Sequence, residues 1–197
     1  MKKLFFLMAL SAVVCGVSAH PNHIFGVRAG LNITDMVYET RGVGAATGWV
    51  VRPSAAFSYE KSLSKSIPLY FETGVGFSGF GTSIDKGAKR INAYFFEAPA
   101  LLNWHFNLTD DIALIPYLGF CLRVGFVGRM TGVRKRVDTF GWQKMVPFDT
   151  GVRAGIGVEY RRYSFRFGYD AGLYDMSDLS IRTVRNKSFQ LQLGYRF

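Results

Sequence analysis

The chain has 197 residues, with 24 Lys and Arg against 14 Asp and Glu, a formal net charge of +10, and 49% hydrophobic and 16% aromatic content. That length suits a single domain, and after the amino-terminal leader no apolar run reaches the roughly 18 residues of a transmembrane helix. Only Cys15 and Cys121 are present, so no disulfide framework is available once the leader is removed. The basic residues fall in loops and on one strand phase rather than on a helix or an aromatic platform. This argues against nucleic acid and suits anionic lipid or polysaccharide.

Lys2 and Lys3 precede an apolar stretch over 4–14 and the small residues Val17, Ser18 and Ala19. This order predicts a secretory signal peptide over 1–19 and a mature domain over 20–197. Cys15 raises the alternative of an acylated cysteine, but Val14 stands where a small residue is wanted. His20, Pro21, Asn22 and His23 then form a short leader. Pro21 interrupts the backbone chelation that tightens an amino-terminal metal site, so neither metal nor cofactor is expected.

The first predicted strand, 25–34, sets Phe25, Val27, Ala29, Leu31 and Ile33 against Gly26, Arg28, Gly30, Asn32 and Thr34, because side chains alternate with period two. A polar loop over 35–48 follows. The second, 49–60, opposes Val51, Pro53, Ala55, Phe57 and Tyr59 to Arg52, Ser54, Ala56, Ser58 and Glu60, and 61–66 is a short turn. The third, 67–78, opposes Leu69, Phe71, Thr73, Val75 and Phe77 to Tyr70, Glu72, Gly74, Gly76 and Ser78. A Gly-rich charged loop then spans 79–92. In the fourth, 93–106, Tyr94, Phe96, Ala98, Ala100, Leu102 and Trp104 oppose Phe95, Glu97, Pro99, Leu101, Asn103 and His105, before a turn over 107–111.

The fifth strand, 113–127, sets Leu114, Pro116, Leu118, Phe120, Leu122, Val124 and Phe126 against Tyr117, Gly119, Cys121, Arg123 and Gly125. The longest loop, 128–147, follows. The sixth, 148–160, opposes Val152, Ala154, Ile156, Val158 and Tyr160 to Asp149, Gly151, Arg153, Gly155, Gly157 and Glu159, and Arg161 and Arg162 turn tightly. The seventh, 163–173, opposes Phe165, Phe167, Tyr169 and Ala171 to Ser164, Arg166, Gly168, Asp170 and Gly172. After a loop over 174–187 the chain closes on Phe189, Leu191, Leu193, Tyr195 and Phe197, alternating with Gln190, Gln192, Gly194 and Arg196.

Long and short connections therefore alternate. The pattern predicts an all-β fold: a transmembrane, antiparallel up-and-down β-barrel of about eight strands, with short periplasmic turns and long extracellular loops, in a bacterial outer membrane. The apolar phase faces lipid and the polar phase the interior. Both termini lie on the periplasmic side, and the aromatic end at Tyr195 and Phe197 is the expected signal for barrel-assembly machinery. The inverted alternative is a soluble, lipocalin-like barrel. It is opposed by bulky aromatics at strand ends, as in interfacial girdles, by a glycine-rich polar phase, and by the absence of a polar tail.

The polar phase carries Arg28, Arg52, Arg123, Arg153, Arg166 and Arg196 together with Glu60, Glu72, Glu97, Asp149, Glu159 and Asp170. An eight-stranded barrel has an interior just filled by side chains, and isolated charges there are costly. These twelve residues are expected to form a structural salt-bridge network; the alternative is a gated pore in which the same pairs separate. A hydrolase or acyltransferase needs a nucleophile and base near the outer rim. His105 lies near a periplasmic turn instead, where it pairs with Glu97 or caps the lumen, so no enzyme activity is expected. In the longest loop Arg129, Arg134, Lys135, Arg136, Phe140 and Trp142 are candidates for surface recognition, with Lys144 beside them. Lys86, Lys89, Arg90, Arg182, Arg185 and Lys187 extend a basic crown in the neighbouring loops. Lipopolysaccharide phosphates are natural counterions for it, and a protein partner fits equally.

The segments Gly26-Val27-Arg28-Ala29-Gly30-Leu31-Asn32, Phe96-Glu97-Ala98-Pro99-Ala100-Leu101-Leu102, Pro116-Tyr117-Leu118-Gly119 and Gly168-Tyr169-Asp170-Ala171-Gly172-Leu173 together resemble the PorT-type outer-membrane β-barrel family. The resemblance runs across the whole mature chain. It implies a small barrel in the outer membrane of a Gram-negative bacterium, and it supplies no catalytic residues. One family member is associated with protease secretion, but nothing in these loops is specific to that role. The expected function is structural or surface recognition, with outer-membrane lipid and lipopolysaccharide as partners. A narrow pore or secretion accessory and a lipid-modifying enzyme are the alternatives.

Overall fold

The computed structural model describes residues 22–40, 43–44, 46–84, 89–132, 137–140, 145–177 and 182–197. The expected signal peptide, the leader residue His20, Lys86, Arg134, Lys135, Arg136, Trp142 and Lys144 lie outside them. Eight long strands form the wall: β1 His23–Thr40, β2 Val50–Ser62, β3 Leu69–Ile84, β4 Lys89–Trp104, β5 Ile112–Thr131, β6 Phe148–Tyr160, β7 Tyr163–Gly172 and β8 Arg182–Arg196. Each pairs antiparallel with the next, and β8 pairs with β1, so the sheet closes on itself. Four two-residue strands, Val43–Gly44, Thr47–Gly48, Phe106–Asn107 and Val137–Asp138, pair with the ends of the long ones.

Closure fixes the stagger. Direct backbone partners run from Ile24 through Glu60, Glu72, Leu101, Gly119, Arg153, Asp170 and Ser188 and return to β1 at Thr34. The circuit thus climbs from residue 24 to residue 34 of the same strand. A stagger of that size on eight strands tilts them roughly 40° from the barrel axis, inside the usual range.

The side-chain phases follow the alternation. Leu118, Phe120, Leu122 and Val124 are exposed on β5 while Tyr117, Cys121 and Arg123 between them are buried. The same holds around the wall, where Phe25, Val27, Leu31, Phe57, Val75, Phe96, Ile156, Phe165, Phe167 and Leu193 all point outward. A soluble monomer does not expose a continuous apolar belt of this extent; a barrel in lipid does. Aromatic side chains edge the belt. At the periplasmic end Phe25 packs on Tyr59 at 5.1 Å and Tyr163 on Tyr195 at 5.5 Å between ring centroids. At the outer end Phe77 stacks on Tyr94 at 5.6 Å and Trp49 meets Phe189 at 5.5 Å.

Several strands run past their expected ends. β1 continues to Thr40, β3 to Ile84 and β5 to Thr131, while β4 starts at Lys89 and β8 at Arg182, so most of the loop expected over 79–92 is strand. In these extensions no lipid faces the outer phase, so the hydrogen-bonded ladder goes on without an apolar alternation. A bulge also interrupts β4–β5. Tyr94 pairs with Val127 but Phe95 with Gly125, leaving Phe126 as an extra residue on β5. Phe126 and Val127 are consequently both exposed, and beyond the bulge Arg129 faces outward.

Candidate functional site

The interior holds the chemistry, in three layers. The periplasmic layer is built around Glu72. Its carboxylate accepts from Arg28 Nη2, from Arg166 Nη1 at 2.7 Å and from Asn103 Nδ2 at 2.6 Å. Arg28 also donates to Ser58 at 3.0 Å, and Arg166 to Glu60 at 3.2 Å. Glu60 holds His105 Nε2 at 2.8 Å. The partner of His105 is thus Glu60 rather than Glu97. Glu97 lies eight residues back, on β4, which ends just before His105, roughly 26 Å away along the extended chain, whereas Glu60 comes from β2 at the same height. At the mouth Arg196 pairs with Glu159. Beside them Arg28, Glu60 and Arg166 line a hollow of about 10 Å³, room for about one water.

The middle layer joins β4 to β8. Arg153 grips Glu97 with both Nη atoms, at 3.1 and 2.8 Å, and donates from Nε to Asp170 at 2.9 Å. Arg123, fully buried, donates to Asp149 at 2.8 Å and to Asp170, with Glu97 3.8 Å from its Nε. Ser78 Oγ donates to Glu97 at 2.8 Å and Asn186 Nδ2 to Asp149 at 2.9 Å. The Cys121 thiol, buried, donates to Glu97 at 3.6 Å. Between the two layers Arg166 stacks on the Tyr117 ring at 5.2 Å. Gly155 and Gly168 admit that ring: a β-carbon at Gly168 would stand 2.2 Å from the tyrosine hydroxyl oxygen.

The outer layer is apolar. Met36, Phe80, Ile91, Ala93, Phe95, Met145, Met176 and Val184 pack as one buried cluster, with Ile84, Met130 and Phe140 against it. It sits directly on the charged layer, since the Arg123 guanidinium lies 4.8 Å from the Phe80 ring centroid. This cluster was not evident from the sequence, because Met36, Phe80, Ile91, Met145, Met176 and Val184 lie in segments that read as loops, and only Ala93 and Phe95 fall in a predicted strand. The phase of Phe80 and Met36 relative to Ser78 and Thr34 was the available clue.

Two expected placements change. Arg52 does not join the interior network. The β2–β3 ladder ends at Ser54 and Ser78, and above that point β1 reaches β3 directly, with Thr34 Oγ1 donating to the Gly81 carbonyl at 2.9 Å. The upper end of β2 is displaced to the outside. There Arg52 lies over the bare outer faces of Gly79 and Gly81 and donates to Asn92 Oδ1 and to the Val51 carbonyl. Phe140, expected on the recognition surface, turns inward instead. Its ring fills the space left by Gly125 and Gly128 and meets Phe95 edge-on at 5.6 Å. Arg129 remains exposed, as do Arg90 and Arg185. Lys187 pairs with Asp35 at 3.1 Å. Among the described residues no cluster of His, Cys, Asp and Glu is arranged to hold a metal ion.

A closed antiparallel barrel with a lipid-facing belt and a charged interior defines an integral outer-membrane protein. Residues 6–197 match the model of the outer membrane protein beta-barrel domain family, and the chain belongs to that family. A comparison with curated proteins finds no match. Among solved structures the chain is similar to Ail, the attachment invasion locus protein of Yersinia pestis. The identity is 12% and the TM-score 0.45, over 90% of this chain and 100% of that one. Neisserial surface protein A is similar at 17% identity and a TM-score of 0.43, over 88% and 97% of the two chains. The amino-terminal barrel domain of Pseudomonas aeruginosa OprF gives 9% and 0.39, over 87% and 97%.

Proposed function

We propose that this protein is a plugged, non-enzymatic outer-membrane barrel of the PorT type, with a structural role in the membrane and a recognition surface on its outer wall. The observation that carries the reading is the filled lumen: the Arg123–Arg153 lattice with Glu97, Asp149 and Asp170, lying under the apolar cluster around Phe80 and Phe95. Separating those pairs to open a pore exposes buried charges, at a cost of several kcal/mol per ion. The segments that resemble the PorT type support the finer assignment. Arg28, Glu97, Tyr117, Gly168 and Asp170, drawn from all four, meet in the interior. Engagement of His105 by Glu60 at the periplasmic end supports the absence of hydrolytic chemistry at the outer rim. Lipid and lipopolysaccharide are the proposed partners of the outer wall, and barrel-assembly machinery of the β8 edge around Tyr195 and Phe197. A protein partner for the outer loops is compatible with the same reading.

The test is electrical. Purified protein in planar bilayers is expected to give no discrete current steps, while Arg123→Ala and Glu97→Ala introduce flickering conductance. Regular steps from the unmodified chain overturn the plug and favour a narrow pore or secretion accessory.

A further inference from the structure

We propose that the outer wall over β2 to β5 binds one outer-leaflet lipid with a phosphorylated head group. Arg52, Arg90 and Arg129 hold the phosphate, and an acyl chain lies in the groove below them. The inference rests on the outer-wall recognition reading and is independent of the plugged lumen.

The head-group site is assembled by two irregularities of the barrel. Displacement of β2 lays Arg52 across the outer face of β3, where a β-carbon at Gly79 would stand 2.8 Å from that of Arg52 and one at Gly81 3.4 Å from its Nε. The β4–β5 bulge turns Arg129 outward. Gly81, Asn92 and Arg129 are direct partners across three strands, so they form one lateral row at roughly 4.8 Å spacing. Arg52 covers the Gly81 end of this row and donates to Asn92 in its middle. Arg90 stands two residues above Asn92 on the same face, about 7 Å away.

No carboxylate among the described residues pairs with Arg52, Arg90 or Arg129. The nearest by register is the exposed Asp138, opposite Arg129. Buried Arg52 Nε has no acceptor among the described residues. Arg52 and Arg129 at the two ends of the row, with Arg90 above its middle, suit a phosphate, which accepts several charge-assisted hydrogen bonds at once.

The tail site lies directly beneath. Tyr94 stacks on Phe77 and Phe96 on Phe126, and a tilted Phe77–Phe126 contact joins the two pairs into one aromatic cluster under the arginine row. Phe77 and Phe96 then flank a shallow, open apolar groove that also includes Ala55, Phe57 and Val75. The groove faces lipid, so its occupant is hydrocarbon. From Phe77 to Gly81 is four residues of strand, roughly 13 Å, which places a phosphate above a chain seated in the groove. An apolar slot leading up to a cationic row matches one amphiphile, in contrast to the charge-poor wall of β6 and β7.

The experiment uses the full chain in detergent, with bound lipid counted by native mass spectrometry. The probes are bisphosphorylated lipid A, its dephosphorylated form and inorganic phosphate. One bisphosphorylated molecule is expected to be retained, and the dephosphorylated form at least tenfold less. Each Arg→Gln change at 52, 90 or 129 is expected to weaken retention about fivefold and the triple change about a hundredfold. Ala55→Trp, which fills the groove, weakens retention of both lipid forms. Arg161→Gln with Arg162→Gln, at the opposite end of the barrel, leaves it unchanged, and a heat-shifted gel band confirms folding of every variant. Unchanged retention in the triple variant overturns the proposal, as does equal loss in the Arg161 and Arg162 variant. Displacement of the lipid by millimolar inorganic phosphate marks a free-phosphate site and also overturns it. None of these outcomes bears on the conductance test of the lumen.

Discussion

Replacing Arg123 with leucine removes the centre of the middle layer, and the structure sets the cost. Arg123 Nη1 donates to Asp149 at 2.8 Å, and no other cation pairs with Asp149 among the described residues. Asn186 Nδ2, at 2.9 Å, is its remaining donor. Asp170 keeps Arg153 at 2.9 Å, and Glu97 keeps both of its bonds to Arg153. The stranded charge is therefore Asp149 alone. Breaking a buried pair costs about 3–5 kcal/mol; with two of three carboxylates still served, about 3 kcal/mol is expected. A second change, Asp149→Asn, removes that charge and should recover about 2 kcal/mol of the loss, the size of coupling seen for contacting residues. Urea titration of folding into lipid vesicles, read by the heat-shifted gel band, reports both. At an m value of about 2 kcal/mol/M the single variant moves the midpoint down by about 1.5 M. The reasoning fails if Arg123→Leu leaves the midpoint in place, or if the double variant is less stable than the single.

Other consequences follow from the wall and its packing. Gly168→Ala drives a β-carbon into the Tyr117 hydroxyl and should cost about 1–3 kcal/mol, largely restored by Tyr117→Phe. Gly155→Ala also meets the Phe167 carbonyl oxygen at 2.4 Å, so the same second change should restore little; vesicle-folding midpoints separate the two cases. Phe120→Arg, in the middle of the lipid belt, should destabilise by about 2–4 kcal/mol, while Leu114→Arg near the periplasmic edge costs about 1 kcal/mol or less. Equal effects in that pair would place the belt wrongly. Cys121 should resist maleimide in the folded protein and react fully in urea, and rapid labelling of the folded barrel would put Cys121 on the lipid face.

Much of this barrel is legible in one dimension, because a strand offers only two faces and lipid accepts only one kind. Leu118, Phe120 and Leu122 must point away from Tyr117, Cys121 and Arg123 whatever the rest of the chain does, and the alternation of short and long connections sets which end is which. That logic extends only as far as the bilayer. Above it the ladder of β3 runs to Ile84 and that of β5 to Thr131, past the lipid-facing alternation, so Met36 and Phe80 of the capping cluster read as loop, while Phe95 reads as an interior strand residue with nothing to show what it meets. It also assumes unbroken neighbours. Arg52 has the period of an interior residue, yet it ends on the outer wall because β2 leaves the ladder above Ser54 and two glycines of β3 leave room.

The charged residues of the interior were evident from their phase, but their pairing was not. Glu97 meets Arg153, 56 positions away, and His105 meets Glu60, because the closed hydrogen-bonded circuit rises from residue 24 to residue 34 of β1. The sequence by itself determined which side chains enter the barrel, through the period of the backbone. Which of them touch was decided only when the last strand paired with the first, since closure alone sets the height of every strand against its neighbours.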